Sequence, residues 1–139
     1  MERFLGRYEP YFYALLRIVS GFMFLLHGTQ KLFAFPPPAQ PSPGGTFMTV
    51  TGALELVLGL LIMIGFLGGY AGFLASGMMA VAYFMAHQPN GALPIQNGGE
   101  LAALYCFIFL YIASRGSGVL SVDASMRRGT ATTAPGVRA

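Results

Sequence analysis

Two histidines, a lysine and two carboxylates (His27, Lys31, Glu55, His87 and Glu100), with Arg17, fall inside or at the edges of long apolar stretches. A charged group at the centre of a bilayer costs about 2.5–3.5 kcal/mol even on lenient insertion scales, so such residues face a protein interior or a wet cavity. Imidazole and carboxyl groups can relay protons, while ammonium and amide groups such as Lys31 and Gln30 donate hydrogen bonds to carbonyls. The chemistry within reach is therefore proton-coupled binding of a polar head group inside a membrane.

The elements that must position these groups follow from composition. The chain has 139 residues, 55% of them hydrophobic and only 9% charged, far from the usual soluble balance of about a quarter charged. A hydrocarbon core of about 30 Å needs about 20 helical residues. Four segments qualify within a few residues: Tyr11–Phe35, Thr46–Phe66, Gly69–His87 and Gly98–Ser114. The sequence predicts an all-α, polytopic membrane protein, an antiparallel bundle of four transmembrane helices over residues 1–123. A disordered tail, 124–139, rich in Thr, Ala, Arg and Gly, follows it.

The first segment carries Arg17 within it and is followed by prolines rather than a small-residue cleavage site, so it reads as a span and not a signal peptide. Arg3 and Arg7 precede it, and Arg115, Arg127, Arg128 and Arg138 follow the fourth, whereas the connections contain no Lys or Arg. The positive-inside rule puts both termini in the cytoplasm. That bias explains the net charge of +3, and the scattered basic residues make no nucleic-acid stripe. Cys106 lies mid-span and has no second cysteine to pair with.

Pro36–Gly45 (PPPAQPSPGG) favours extended polyproline geometry, Gly65–Gly69 is a tight turn, and Pro89–Asn90–Gly91 marks another turn. Small residues at four-residue spacing, Gly65/Gly69 and Gly68/Gly72 with Ser76 and Ala80, let helix backbones approach closely.

With that topology Arg17 lies in the inner half, and His27, Gln30 and Lys31 lie about 15–21 Å further out, at 1.5 Å per residue. Glu55 falls near mid-membrane, and His87 and Glu100 meet at the outer side. One outer-half pocket then gathers His27, Gln30, Lys31 and His87 as binding groups, with Glu55, Glu100 and His27 as proton carriers. Arg17, His27 and Lys31 share a cationic face of the first helix, and Arg17 with Glu55 is the expected structural ion pair.

Each residue also has a structural reading. Asn97–Gly98–Gly99–Glu100 matches a capping box, His87 ends a helix whose dipole favours an imidazolium, and Lys31 and Arg17 are long enough to snorkel. Phe22, Phe24, Tyr83, Phe84, Tyr105 and Phe107 read first as packing and second as a stacking surface. Two histidines on different helices are weak evidence for haem, neither Glu55 nor Glu100 has the Glu-x-x-His spacing of a di-iron bundle, and no metal site is expected.

RIVSGFMFLLHGTQKLF (Arg17–Phe33), Glu55, PNGALPIQNGGELAALY (Pro89–Tyr105) and GSGVLSVD (Gly116–Asp123) resemble the DoxX-like family of small four-helix bacterial membrane proteins. The resemblance covers roughly residues 14–123, with Arg17, His27, Gly28, Gln30, Lys31, Glu55, Gly99 and Glu100 on the family pattern. It implies residence in the bacterial cytoplasmic membrane and a redox association, since some relatives are subunits of thiosulfate:quinone oxidoreductase and others accompany quinone or thiol detoxification. The function expected is a component of a quinone-linked oxidoreductase, with quinone as the cofactor and a redox subunit as partner. The alternative is a non-enzymatic accessory subunit of a larger membrane complex, its ionic cluster only locking helix register.

Overall fold

The computed structural model describes residues 4–39 and 44–132; the middle of the proline-rich connection and the tail from residue 133 lie outside the described residues. After a 3-10 turn at Gly6–Tyr8 come α1 (Glu9–Phe33), α2 (Thr46–Ile64) and α3 (Gly68–Ala82). A π turn at Tyr83–His87 and a 3-10 turn at Gln88–Asn90 extend α3, followed by the single turn α4 (Pro94–Asn97), then α5 (Glu100–Arg115) and α6 (Val122–Thr132). No described residue is in a strand. Helix ends fall where the chain reverses hand: Gly65 (φ 68°) closes α2, where a left-handed φ carries no Cβ penalty.

Three helical runs, Gly6–Phe33, Thr46–Ile64 and Gly68–Asn90, are long and apolar enough to cross a membrane. The 16 residues of α5 rise only about 24 Å, short of a hydrocarbon core of about 30 Å. Residues 124–132 continue α6, so the tail expected to be irregular begins with helix instead.

The bundle is two tight antiparallel hairpins. In the first, Gly21 and Gly28 of α1 face Gly59 and Gly52 of α2, each pair seven residues apart and hence on one stripe. A Cβ on Gly28 would lie 2.5 Å from the Leu56 nitrogen, and one on Gly59 2.5 Å from the Leu25 nitrogen, so only glycine lets these backbones touch. In the second hairpin, α3 against α5, a Cβ on Gly72 would lie 2.9 Å from the Phe109 carbonyl oxygen, and the Ser76 hydroxyl donates to the Cys106 carbonyl at 2.8 Å. The stripe expected at Gly72 and Ser76 thus serves α3 against α5, while the α1–α2 contact uses four glycines that its spacing rule passed over. Phe24, Leu58, Ile62, Ala75, Phe109 and Ile112 fill the core between hairpins.

The end of the bundle that carries both termini is knotted by polar groups. Arg17, wholly buried, donates through Nη1 to the Ile62 and Met63 carbonyls, both at 2.7 Å, and through Nη2 to the Leu120 carbonyl at 2.7 Å. A cation there meets the unsatisfied carbonyls and negative dipole end of α2. Asp123 accepts from the Leu67 amide (3.1 Å) and the Ser117 hydroxyl (2.5 Å), while Ser117 accepts from the Gly68 amide (3.0 Å), so a distant carboxylate and hydroxyl cap α3. Partial burial opposes the charge on Asp123, but the Ser117 hydroxyl and the Leu67 and Gly68 amides outweigh it and hold the carboxyl below its usual range. Arg115 pairs with Glu9 and lies over the Tyr13 ring, and the Tyr13 hydroxyl donates to the Gly116 carbonyl.

Candidate functional site

Far from that knot, Glu55 is 3% exposed on α2. Lys31 of α1 donates to its Oε1. The glycine contact between the helices makes this pair possible. Gly28 brings the backbone of α2 against α1, and a Cβ on Gly52 would lie 2.8 Å from Lys31 Cβ, so the absence of one leaves room for the lysine stem to run along α2. A buried carboxylate with one close counter-charge is tolerable; without it the cost is several kcal/mol.

The other carboxylate oxygen, Oε2, is buried with no hydrogen-bond partner, and so is the Tyr105 hydroxyl. Tyr105 belongs to α5, is 4% exposed, stacks on Phe109 (5.2 Å between ring centres) and meets the His27 ring edge-on at 6.2 Å. Glu55 stands close enough for its charge to bear on both His27 and Tyr105. Three polar side chains from two helices, Lys31 and His27 of α1 and Tyr105 of α5, are thus gathered about one buried carboxylate.

On its lysine side the pair opens into a cavity of about 560 Å³ between α2 and α3. Lys31, Thr51, Glu55 and His87 are its polar lining, and Met48, Met78, Val81 and Met85 are among its apolar walls. The His87 ring stacks on Tyr83 and donates from Nδ1 to the Asn97 carbonyl at 3.2 Å, which leaves Nε2 as an acceptor in the neutral ring.

The expected constellation is therefore divided. Lys31, Glu55 and His87 share the cavity, whereas His27 and Gln30, both half-buried on α1, are not among the cavity residues. Arg17 does not pair with Glu55. The register that sets Gly21 opposite Gly59 places Arg17 beside the carboxyl end of α2, about 8–10 residues or 12–15 Å from Glu55 along the axis. Glu100 is exposed and borders a separate recess with Pro94, Ala103, Leu104 and Phe107. The expected capping box is also absent: α5 begins at Glu100 itself, with Gly99 at the cap, and the Gly99 amide donates to Asn97 Oδ1 at 2.8 Å. Depth alone put Glu100 near the cavity, but depth does not fix the direction a residue faces around its helix, and Glu100 is exposed.

Tyr105 was legible as packing or as a stacking surface, but not as a polar group. The signal that distinguishes it is a hydroxyl in mid-helix among apolar residues, which has to find a partner once buried.

The DoxX family model matches residues 12–88, the part that carries His27, Lys31, Glu55 and His87. An uncharacterized protein of Haemophilus influenzae is 42% identical over 125 residues, covering 86% of this chain and 93% of that protein. A second uncharacterized protein of the same organism is 26% identical over 94 residues, 68% of this chain and 62% of its own length. No solved structure matches.

Proposed function

The chain belongs to the DoxX family, and from that membership and the carboxylate at the cavity wall we propose that it is a quinone-linked integral membrane protein. In this reading four helices span the bacterial cytoplasmic membrane, α5 tilting or locally thinning the bilayer to do so, and both termini are cytoplasmic. The cavity then lies in the outer half. The chain serves as a component of a redox system whose electron donor is another subunit.

The observation that carries the proposal is a buried carboxylate paired with Lys31 at the wall of a largely apolar cavity. A volume of about 560 Å³ is within the range of small-molecule sites, which combine apolar walls with a few placed polar groups. A quinone, when bound, supplies two-electron, two-proton redox chemistry. Lys31 would hold one of its carbonyl oxygens, the methionine and valine walls would take its ring, and Glu55 would hold the proton that such chemistry exchanges. His87 Nε2 offers a second polar contact, and His27 supports Glu55.

Binding is tested by titrating a short-chain quinone into the purified protein while following tyrosine fluorescence. Saturable binding is expected, weakened about tenfold to a hundredfold in Lys31→Met, as removal of a donor to a buried carbonyl costs about 1–3 kcal/mol. Absence of saturable binding up to the solubility limit, with stoichiometric recovery of larger partners, would replace this reading with a non-enzymatic accessory subunit. Topology is tested with single cysteines at Ala39 and Ala131 in a Cys106→Ala background: an impermeant thiol reagent should label Ala39→Cys in intact cells and spare Ala131→Cys.

A further inference from the structure

Two buried polar side-chain atoms, Glu55 Oε2 on α2 and the Tyr105 hydroxyl on α5, are without a hydrogen-bond partner. Each is on a residue more than nine-tenths buried, where a polar atom left without a partner is destabilising. The His27 ring, half-buried and in edge contact with Tyr105, lies beside them. Buried waters are found where two to four polar groups have no other partner.

We propose that the Tyr105 hydroxyl, Glu55 Oε2 and the His27 ring close around one water molecule, a buried hydrogen-bonding site distinct from the cavity. Glu55 is thereby served from two sides. Lys31 meets Oε1 from the cavity, and the water held by α1 and α5 meets Oε2. The charged and titratable groups around the carboxyl are Lys31 and His27 from α1, His87 from the extension of α3, and Tyr105 from α5. This deepens the quinone reading by giving the carboxyl a proton path that does not cross the ligand, and it rests on that reading for its purpose but not for its existence. Tyr105 is a positioning residue here, acting on Glu55 through the water. In the path, a proton passes from the water to Oε2 and the water regains one from His27 in its doubly protonated form, so no electron moves and no bond other than O–H and N–H changes.

The test is infrared difference spectroscopy of the ligand-free protein in bilayers, perturbed by a pH step. A water O–H band is expected that shifts when the solvent is exchanged for H₂¹⁸O. The carboxyl band of Glu55 is identified as the one lost in Glu55→Gln. Tyr105→Phe should abolish the water band and move the Glu55 band to higher frequency, because a donor is lost. Biosynthetic replacement of tyrosine by 3-fluorotyrosine, a stronger donor of nearly the same shape, should move the Glu55 band the opposite way in a protein that keeps every side-chain position. Absence of an ¹⁸O-sensitive water band, or a Glu55 band that neither replacement moves, overturns the proposal. Because no quinone is present, these outcomes are independent of whether the cavity binds one.

Discussion

The two ends of this bundle handle buried charge in opposite ways. At the end with the termini, Arg17 gives both terminal nitrogens to carbonyls, and Asp123 caps α3 through two amides and a serine. Among the buried side-chain atoms of the described residues there, Arg17 Nε alone lacks a partner. At the other end, Glu55 has one counter-ion, leaves an oxygen open, and looks onto a cavity. A charge surrounded by backbone groups can do little besides hold helices together, since backbone partners neither move nor titrate. A charge with one mobile partner and one open oxygen can exchange that partner for a ligand or a proton. On the proposed reading the contrast gives Arg17 an architectural part and Glu55 a chemical one, and each variant below either widens or erases it.

The largest effect is expected at Arg17. Arg17→Ala strands the Ile62, Met63 and Leu120 carbonyls and should lower stability by about 3–5 kcal/mol, read as a large fall in the thermal midpoint in detergent. A midpoint near that of the parent would show that the termini end is not the structural one. Next comes Lys31→Met, which leaves Glu55 buried without its counter-charge and should destabilise by about 3 kcal/mol, while adding Glu55→Leu should recover most of the loss, because an apolar pair replaces an ionic one at little penalty. Recovery of stability without recovery of quinone binding is the expected signature of a pair kept for function. Failure of the double variant to recover would make the pair architectural, like Arg17.

Gly28→Ala is expected to be of middle size, about 1–3 kcal/mol, since its Cβ would be driven against the Leu56 backbone. Gly77→Ala, with nothing within 4 Å of the added carbon, is the control and should be close to neutral or slightly stabilising. Asp123→Ala removes a cap and should cost about 0.5–2 kcal/mol. Its pH dependence has a definite sign. A carboxyl held below its usual value in the folded state binds fewer protons folded than unfolded, so its stabilisation is complete above about pH 4 and is lost as pH falls through the lower folded value. Unfolding of the parent across that acid range should therefore steepen relative to Asp123→Ala. The smallest effect is Glu100→Gln, within about 0.5 kcal/mol and without influence on quinone binding, as expected for an exposed carboxylate outside the cavity.

Legibility differed between these regions for physical reasons. The sequence alone determined that the chain is helical and apolar, where its turns lie, and that Glu55, flanked by Leu54 and Leu56, has to find a partner inside the protein, because hydropathy and turn chemistry are local properties. It also showed that His27 and Lys31 lie one turn apart on the same helix. Which cation reaches Glu55 was beyond it. That choice is made by the antiparallel register of α1 on α2, set by four glycines whose role is visible only once two backbones are in contact, and it carries Arg17 past Glu55 to the end of α2. The pairing of Asp123 with a turn 56 residues away was decided in the same manner, by contact between distant segments. Residue types limited what chemistry was available; the tertiary structure decided which of them meet, since depth in a bundle can be read along one helix but the facing of two helices depends on both.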